Sequence, residues 1–349
     1  MCAFKAKREG NEIFMNARHI LKVLAVILGT MIGAGFASGK EIYNFFARFG
    51  TNGIIGILIS GILTGAIIYL TNKIIINKRI NTNMEFITTI KGGKLLYNIV
   101  NIFLIMSFYI MIAGFSTFFK QEYNIPVYVI STILCILMYF ILSSKIEKIV
   151  KCCELIVPIL IVISLYIVIK YNINCATITV RGNNLALCII NAILYSSYNC
   201  ITLIPMLITL KEYISNSIEN VIISTLSSLL IIILTLGIYG VLIKSNINIS
   251  EIDLPIISII NNNVEKHIYS VAIEIAILTS AISAGYGVLE NIRGRIKERN
   301  YKKVVAVMCL IGIPISGLGF GNLIGAVYPF FGLLGLIQIC LIVSIRSFD

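Results

Sequence analysis

Gly29-Thr30-Met31-Ile32-Gly33-Ala34-Gly35-Phe36-Ala37-Ser38-Gly39 lies in the middle of a long apolar segment flanked by helix-forming sequence. Four of these eleven residues are glycine. Each costs a helix roughly 1 kcal/mol relative to alanine. The cluster predicts a helix that breaks at membrane depth. Irregular backbone survives there only when buried in protein or lining a cavity.

The surrounding composition supports that reading. Hydrophobic residues make up 58% of the 349, charged residues only 13%, and the mean hydropathy is +0.95. No water-soluble globular domain has this balance. The sequence predicts an all-α, polytopic membrane protein with a cytoplasmic segment over 1–18 and one transmembrane domain over 19–345. The first apolar stretch follows a charged one and is not followed by a small-residue cleavage site, so a removable signal peptide is not expected. The nine cysteines have no metal-ligand spacing and read as small apolar filler. Among them, Cys152-Cys153 is a vicinal pair without an assigned role.

About 20 apolar residues cross the hydrocarbon core. Ten spans are expected, near 19–47 (broken), 53–76, 95–119, 125–143, 149–170, 184–210 (interrupted), 218–244, 267–291, 302–319 and 322–345. With the N-terminus in the cytoplasm, the inner segments hold 21 lysines and arginines and the outer ones 6, with Lys40 left inside the first span. This positive-inside asymmetry predicts both termini cytoplasmic. It assigns the formal charge of +12 to topology and anionic lipid rather than to nucleic acid.

Ten spans divide into two sets of five, about 19–170 and 184–345. Five is odd, so the second set starts from the opposite side, as in an inverted repeat. The sixth span should then carry a defect matching the first. It reads Tyr195-Ser196-Ser197-Tyr198-Asn199 at its expected midplane, with Pro205 six residues on removing a backbone donor. Helices 1 and 6 are both expected to be broken.

The stretch from Gly29 to Glu41, the run Tyr195 to Asn199, and Thr279-Ser280-Ala281-Ile282-Ser283-Ala284-Gly285-Tyr286-Gly287 together resemble the YkvI-like family of bacterial membrane proteins. That family is similar to a distant branch of the amino acid–polyamine–organocation transporters. The resemblance covers most of the chain. It implies a LeuT-like 5+5 bundle in a bacterial plasma membrane, without fixing a cargo.

Residues around the break form the candidate solute site: Gly33, Ala34, Gly35, Ser38, Gly39 and Glu41, faced by Tyr195, Tyr198 and Asn199. A half-helix starting near Ala37 would turn its amides toward the break and attract a carboxylate. Glu41 would receive an ammonium group or a coupling proton; Lys40 would pair with a carboxylate. Plainer readings stand beside these. Gly35 and Gly39 form a GxxxG pair suited to helix packing. Lys40 and Glu41 could snorkel at the outer interface. The tyrosines could be ordinary packing residues.

The resemblance further implies a sodium site, with Thr279, Ser280 and Ser283 of the eighth span near backbone carbonyls at Gly29 and Ile32. Interhelical hydrogen bonding is the other role for those hydroxyls. Glu274 is a second proton-carrier candidate, and Glu154 reads as interfacial.

The sequence has no GxxxxGK[ST] phosphate loop, so direct ATP use is not expected. Neither a nucleophile–base set nor a metal cluster is visible, so no enzyme and no cofactor is expected beyond sodium as a coupling ion. The expectation is a secondary active permease for a small organic solute, an amino acid or related zwitterion, coupled to sodium or protons. The alternative is a membrane nutrient receptor of the same fold that binds without transporting. The expected partners are that solute and the lipid bilayer; the oligomeric state is left open.

Overall fold

A computed structural model describes residues 19–80, 85–86, 93–143, 162–171, 184–214, 216–245, 247–293 and 298–346. The segment 1–18, Cys152, Cys153 and Glu154 lie outside them. Among the described residues every regular element is helical.

The first apolar segment is divided three ways. Helix α1 spans His19–Met31, α2 Ala34–Ser38 and α3 Lys40–Phe45. A 3-10 turn, Ala47–Phe49, leads into α4, Asn52–Asn77. Then follow α5, Gly93–Tyr123; α6, Val127–Ser143; α7, Val162–Tyr171; and α8, Leu185–Thr209. A 3-10 turn, Lys211–Tyr213, precedes α9, Ser217–Ile243. Beyond a loop carrying the 3-10 turn Ile249–Glu251 come α10, Pro255–Ile259, and α11, Asn263–Arg293. The chain ends with α12, Glu298–Ser316, and α13, Phe320–Arg346.

Six of these helices are long and apolar enough to cross a membrane: α4, α5, α8, α9, α11 and α13. Three further apolar helices, α1, α6 and α7, are shorter. Leu21, Ile62, Phe140, Ile218 and Leu310 expose most of their side chains, as lipid-facing residues do.

Tight packing follows from small residues. A methyl on Gly65 of α4 would lie 2.7 Å from Ser228 of α9, and one on Gly332 of α13 would lie 2.7 Å from the Leu194 carbonyl of α8. Close backbone approach of this kind substitutes for the hydrophobic drive that lipid removes. Helix α8 lies between α4 and α13, and α11 packs along α5. Polar contacts pin the turn after α3: Tyr239 donates to the Gly50 carbonyl at 2.7 Å, and Arg48 donates to Asn191 Oδ1 at 3.1 Å.

Two expectations are corrected. Helix α8 runs unbroken through 195–199. Its serine and asparagine side chains bond back onto the helix: Ser196 donates to the Ala192 carbonyl at 3.1 Å, Ser197 to that of Ile193 at 2.7 Å and Asn199 to that of Tyr195 at 3.0 Å. Their polarity is satisfied locally, so the backbone has no reason to unwind. Pro205 is also accommodated within α8, as membrane helices permit. The break in the first span covers less of the glycine cluster than the expected half-helix start near Ala37 implies. It is confined to Ile32-Gly33 and to Gly39, and helix resumes at Ala34 rather than Ala37.

Candidate functional site

The two breaks have different local causes. At the first, Gly33 is extended (φ −91°, ψ −175°) and a methyl added there would meet nothing within 4 Å. At the second, Gly39 has φ 82°, where a side chain is strained, and it packs against Ile256 of α10. Ser38 holds the bend by donating to the Gly35 carbonyl at 2.9 Å and accepting from the Lys40 amide at 3.3 Å. Tyr269 of α11 donates to the Ala37 carbonyl at 2.6 Å.

The bend at Gly39 turns Glu41 inward. Glu41 is 2% exposed. Its carboxyl accepts a hydrogen bond from the Tyr198 hydroxyl of α8. A methyl on Gly35 would lie 2.7 Å from Glu41 Oε2, so the carboxyl rests against the bare backbone of α2.

Rings surround it. Tyr198 stacks between Tyr328 of α13, centroids 4.8 Å apart, and Phe45 of α3, 5.7 Å away. Tyr195 meets Phe46 edge-on at 4.9 Å and Phe45 at 5.3 Å. The buried Tyr195 hydroxyl lies near Glu41, Thr235 and Asn199 without a good hydrogen bond, and Thr235 Oγ1 is likewise unpartnered. Broken helix, carboxyl and tyrosines therefore meet in one place. Tyr328, Phe45, Thr235 and Tyr269 were missed. Single aromatic or hydroxyl residues in apolar helices give no signal that separates lining from packing.

Lys40 neither snorkels nor faces the carboxyl pocket. It is buried, and its Nζ donates to the carbonyls of Ile249 (3.2 Å), Ser250 (2.9 Å) and Ile252 (2.7 Å). Asp253, the next residue of that loop, accepts from the Gly321 amide of α13 at 2.7 Å. The loop before α10 is thus fastened over one side of the broken span. On the other side, Lys22 of α1 donates to the Tyr213 hydroxyl at 2.6 Å and sits 4.2 Å from its ring centroid, with His19 edge-on at 5.5 Å.

A cavity of about 10 Å³, room for a single water at most, lies beside the first break, lined by residues that include Ile32, Phe36 and Ser164.

The other candidates are more dispersed. Thr279 is buried and donates to the Ala276 carbonyl at 3.0 Å. Ser280 is half-buried, Ser283 is exposed, Gly29 is half-buried and Ile32 is buried. Helix α2, five residues long, has few aligned peptide dipoles with which to attract an anion. Among the described residues no three His, Cys, Asp or Glu side chains cluster as metal ligands would.

No family model matches the chain. It is 25% identical over 328 residues to the uncharacterised membrane protein YkvI of Bacillus subtilis (strain 168), covering 89% of this chain and 91% of that protein. It is 22% identical over 334 residues to the uncharacterised protein YyaD of the same organism, covering 92% and 96%. Among solved structures it is similar to a manganese transporter of Eremococcus coleocola in two variant forms, with TM-scores of 0.59 and 0.57. Each comparison is at 14% identity over 94% of this chain and 78% of that one. The chain is a nearly all-helical, multi-pass membrane protein that shares the fold of that transporter.

Proposed function

We propose that this chain is a secondary active transporter of a small zwitterionic or cationic organic solute, with amino acids as the leading class. The observation that carries the proposal is the buried Glu41 carboxyl, set at a break in a membrane helix and enclosed by tyrosines. Burying an ionisable group at this depth costs about 2.5–3.5 kcal/mol on insertion scales, which favours a role in binding. An arriving ammonium group would replace the Tyr198 hydroxyl as the partner of Glu41. The tyrosine and phenylalanine rings would cover its apolar part.

The fastenings on either side of the break support alternating access. Lys40 holds the loop before α10, and Tyr213 holds α1. Releasing one at a time would admit solute from one side only. Ten helices in two inverted sets of five are the arrangement we favour, with both termini cytoplasmic on the strength of the 21-to-6 charge split. Because α8 is continuous, movement would concentrate at Ile32-Gly33 and Gly39 of the first span.

Sodium or a proton would drive the cycle. Tyr269 bonds to Ala37, and ten residues along α11 advance about 15 Å. That distance would bring Thr279 toward the level of Gly29, where Thr279 and Ser280 could hold sodium with carbonyls at Gly29 and Ile32, leaving exposed Ser283 aside.

The test has two stages. A thermal-shift screen of amino acids and related zwitterions, with and without sodium, identifies a solute that stabilises the folded form. Proteoliposome uptake of that solute under an imposed ion gradient follows. Accumulation by the wild type and its loss in Glu41→Gln support the proposal. Binding without accumulation under any gradient overturns it in favour of a receptor.

A further inference from the structure

A second carboxyl is buried away from the Glu41 pocket. Glu274 of α11 is 9% exposed, and neither of its oxygens has a hydrogen-bond partner. Thr117 of α5 is 4% exposed, and its hydroxyl is also without a partner.

The packing of α5 against α11 sets these two residues level. A methyl on Gly114 would lie 3.5 Å from Ile277, and one on Gly285 would lie 3.1 Å from Phe108. Farther along, Asn291 donates to Asn101 Oδ1 at 2.7 Å. The helices are antiparallel, and each turn forward on α5 matches one turn back on α11. Thr117 is three residues beyond Gly114, and Glu274 three before Ile277. Both therefore stand at one height on the facing sides of the pair.

The groups on neighbouring elements are engaged elsewhere. Glu122, near the end of α5, pairs with Lys266 at 2.6 Å. Lys120 is exposed on that same last turn. Tyr109 of α5, Cys135 of α6 and Cys309 of α12 lie beside one another. Tyr269 of α11 donates to Ala37. Helices α2 and α10 carry no titratable side chain. None of these groups is hydrogen-bonded to the Glu274 carboxyl.

An unpaired charge in this setting is costly. A carboxyl differs from the apolar residues around it in taking up and releasing a proton. A hydroxyl at the same height, not bonded to the carboxyl in this structure, would suit both states once rotated into reach, donating to the ionised oxygens and accepting from the protonated group. One carboxylate and one hydroxyl supply too few oxygens to replace the hydration shell of a metal ion.

We propose that Glu274 and Thr117 form a proton-binding site, separate from Glu41, whose loading and release couples the transport cycle to a proton gradient. The coupling role rests on the transporter reading above; the binding of a proton does not.

Infrared difference spectroscopy of the full chain in lipid, carried through a pH titration, tests the site without a known solute. The wild type should show protonated-carboxyl bands that titrate. Glu274→Gln should lose one of them, and Glu41→Gln a different one. Thr117→Val should move the pH midpoint of the Glu274 band and leave the Glu41 band in place. A Glu274→Gln spectrum with every wild-type band overturns the proposal, as does an unmoved midpoint in Thr117→Val. If the Glu274 band is found while the wild type accumulates no solute under any gradient, the proton site stands and the transport reading falls.

Discussion

Tyr198 of α8 donates its hydroxyl to Glu41 of α3, joining residues 157 positions apart in the chain across the centre of the bundle. This bond draws the broken first span against an unbroken helix. Tyr198→Phe should leave the carboxyl buried without its donor, at a cost of about 1–3 kcal/mol. The expected result is a lower melting temperature in detergent. Glu41→Gln should lose less stability, since an amide oxygen still accepts from Tyr198. Thermal unfolding of both variants ranks them, and a Tyr198→Phe protein as stable as the wild type removes the bond from the account.

Gly35 and Gly33 should respond in opposite ways. A methyl on Gly35 collides with Glu41 Oε2, whereas one on Gly33 meets open space at an ordinary φ. Overfilling a packed site costs about 1–3 kcal/mol. Gly35→Ala should therefore lower stability and displace the carboxyl, and Gly35→Leu should abolish uptake while the protein stays in the membrane. Gly33→Ala should unfold within about 0.5 kcal/mol of the wild type. If Gly33→Ala still impairs uptake, the glycine serves solute approach rather than packing. Melting curves and uptake measured on the same preparations separate these outcomes.

Pro205 sits inside a helix that continues past it. Proline in a helix interior forfeits one hydrogen bond and costs about 3 kcal/mol relative to alanine. Pro205→Ala should raise the melting temperature, because α8 needs no break there. A fall would indicate that the residue shapes the helix in a way its neighbours depend on.

How far the site was legible in the sequence follows from the range of the interactions involved. The break at Gly33 and Gly39 was readable because glycine acts on its own backbone. Glu41 and Tyr198 were readable as polar side chains in apolar surroundings. The continuity of α8 was not, because serine and asparagine that unwind a helix and those that bond back one turn share a composition. The role of Lys40 was also hidden. Its acceptors lie more than 200 residues away in a loop whose carbonyls carry no sequence identity. The multi-pass architecture came through hydropathy, and the expected span 125–143 corresponds to α6 over 127–143; the first part of the fifth span lies outside the described residues.

The two fastenings should bias the molecule in opposite directions. Lys40 makes three hydrogen bonds from one charged nitrogen, and bonds to charged groups contribute about 1.5–3 kcal/mol each. Lys40→Met keeps much of the side-chain volume but abandons those carbonyls, so the loop before α10 should lift from the broken span. Ile256, buried against Gly39, reports the change. A cysteine at that position should react faster with an impermeant maleimide in the Lys40→Met background. Tyr213→Ala removes both the hydroxyl that accepts from Lys22 and the ring beneath its ammonium. It should free α1 instead and slow labelling at position 256. A shift of 1.4 kcal/mol between two states changes their ratio tenfold, so rate changes of that order are expected. In the double variant the two effects should partly cancel. If both single variants speed labelling alike, the contacts are general stabilisers, and gating must reside in another part of the bundle.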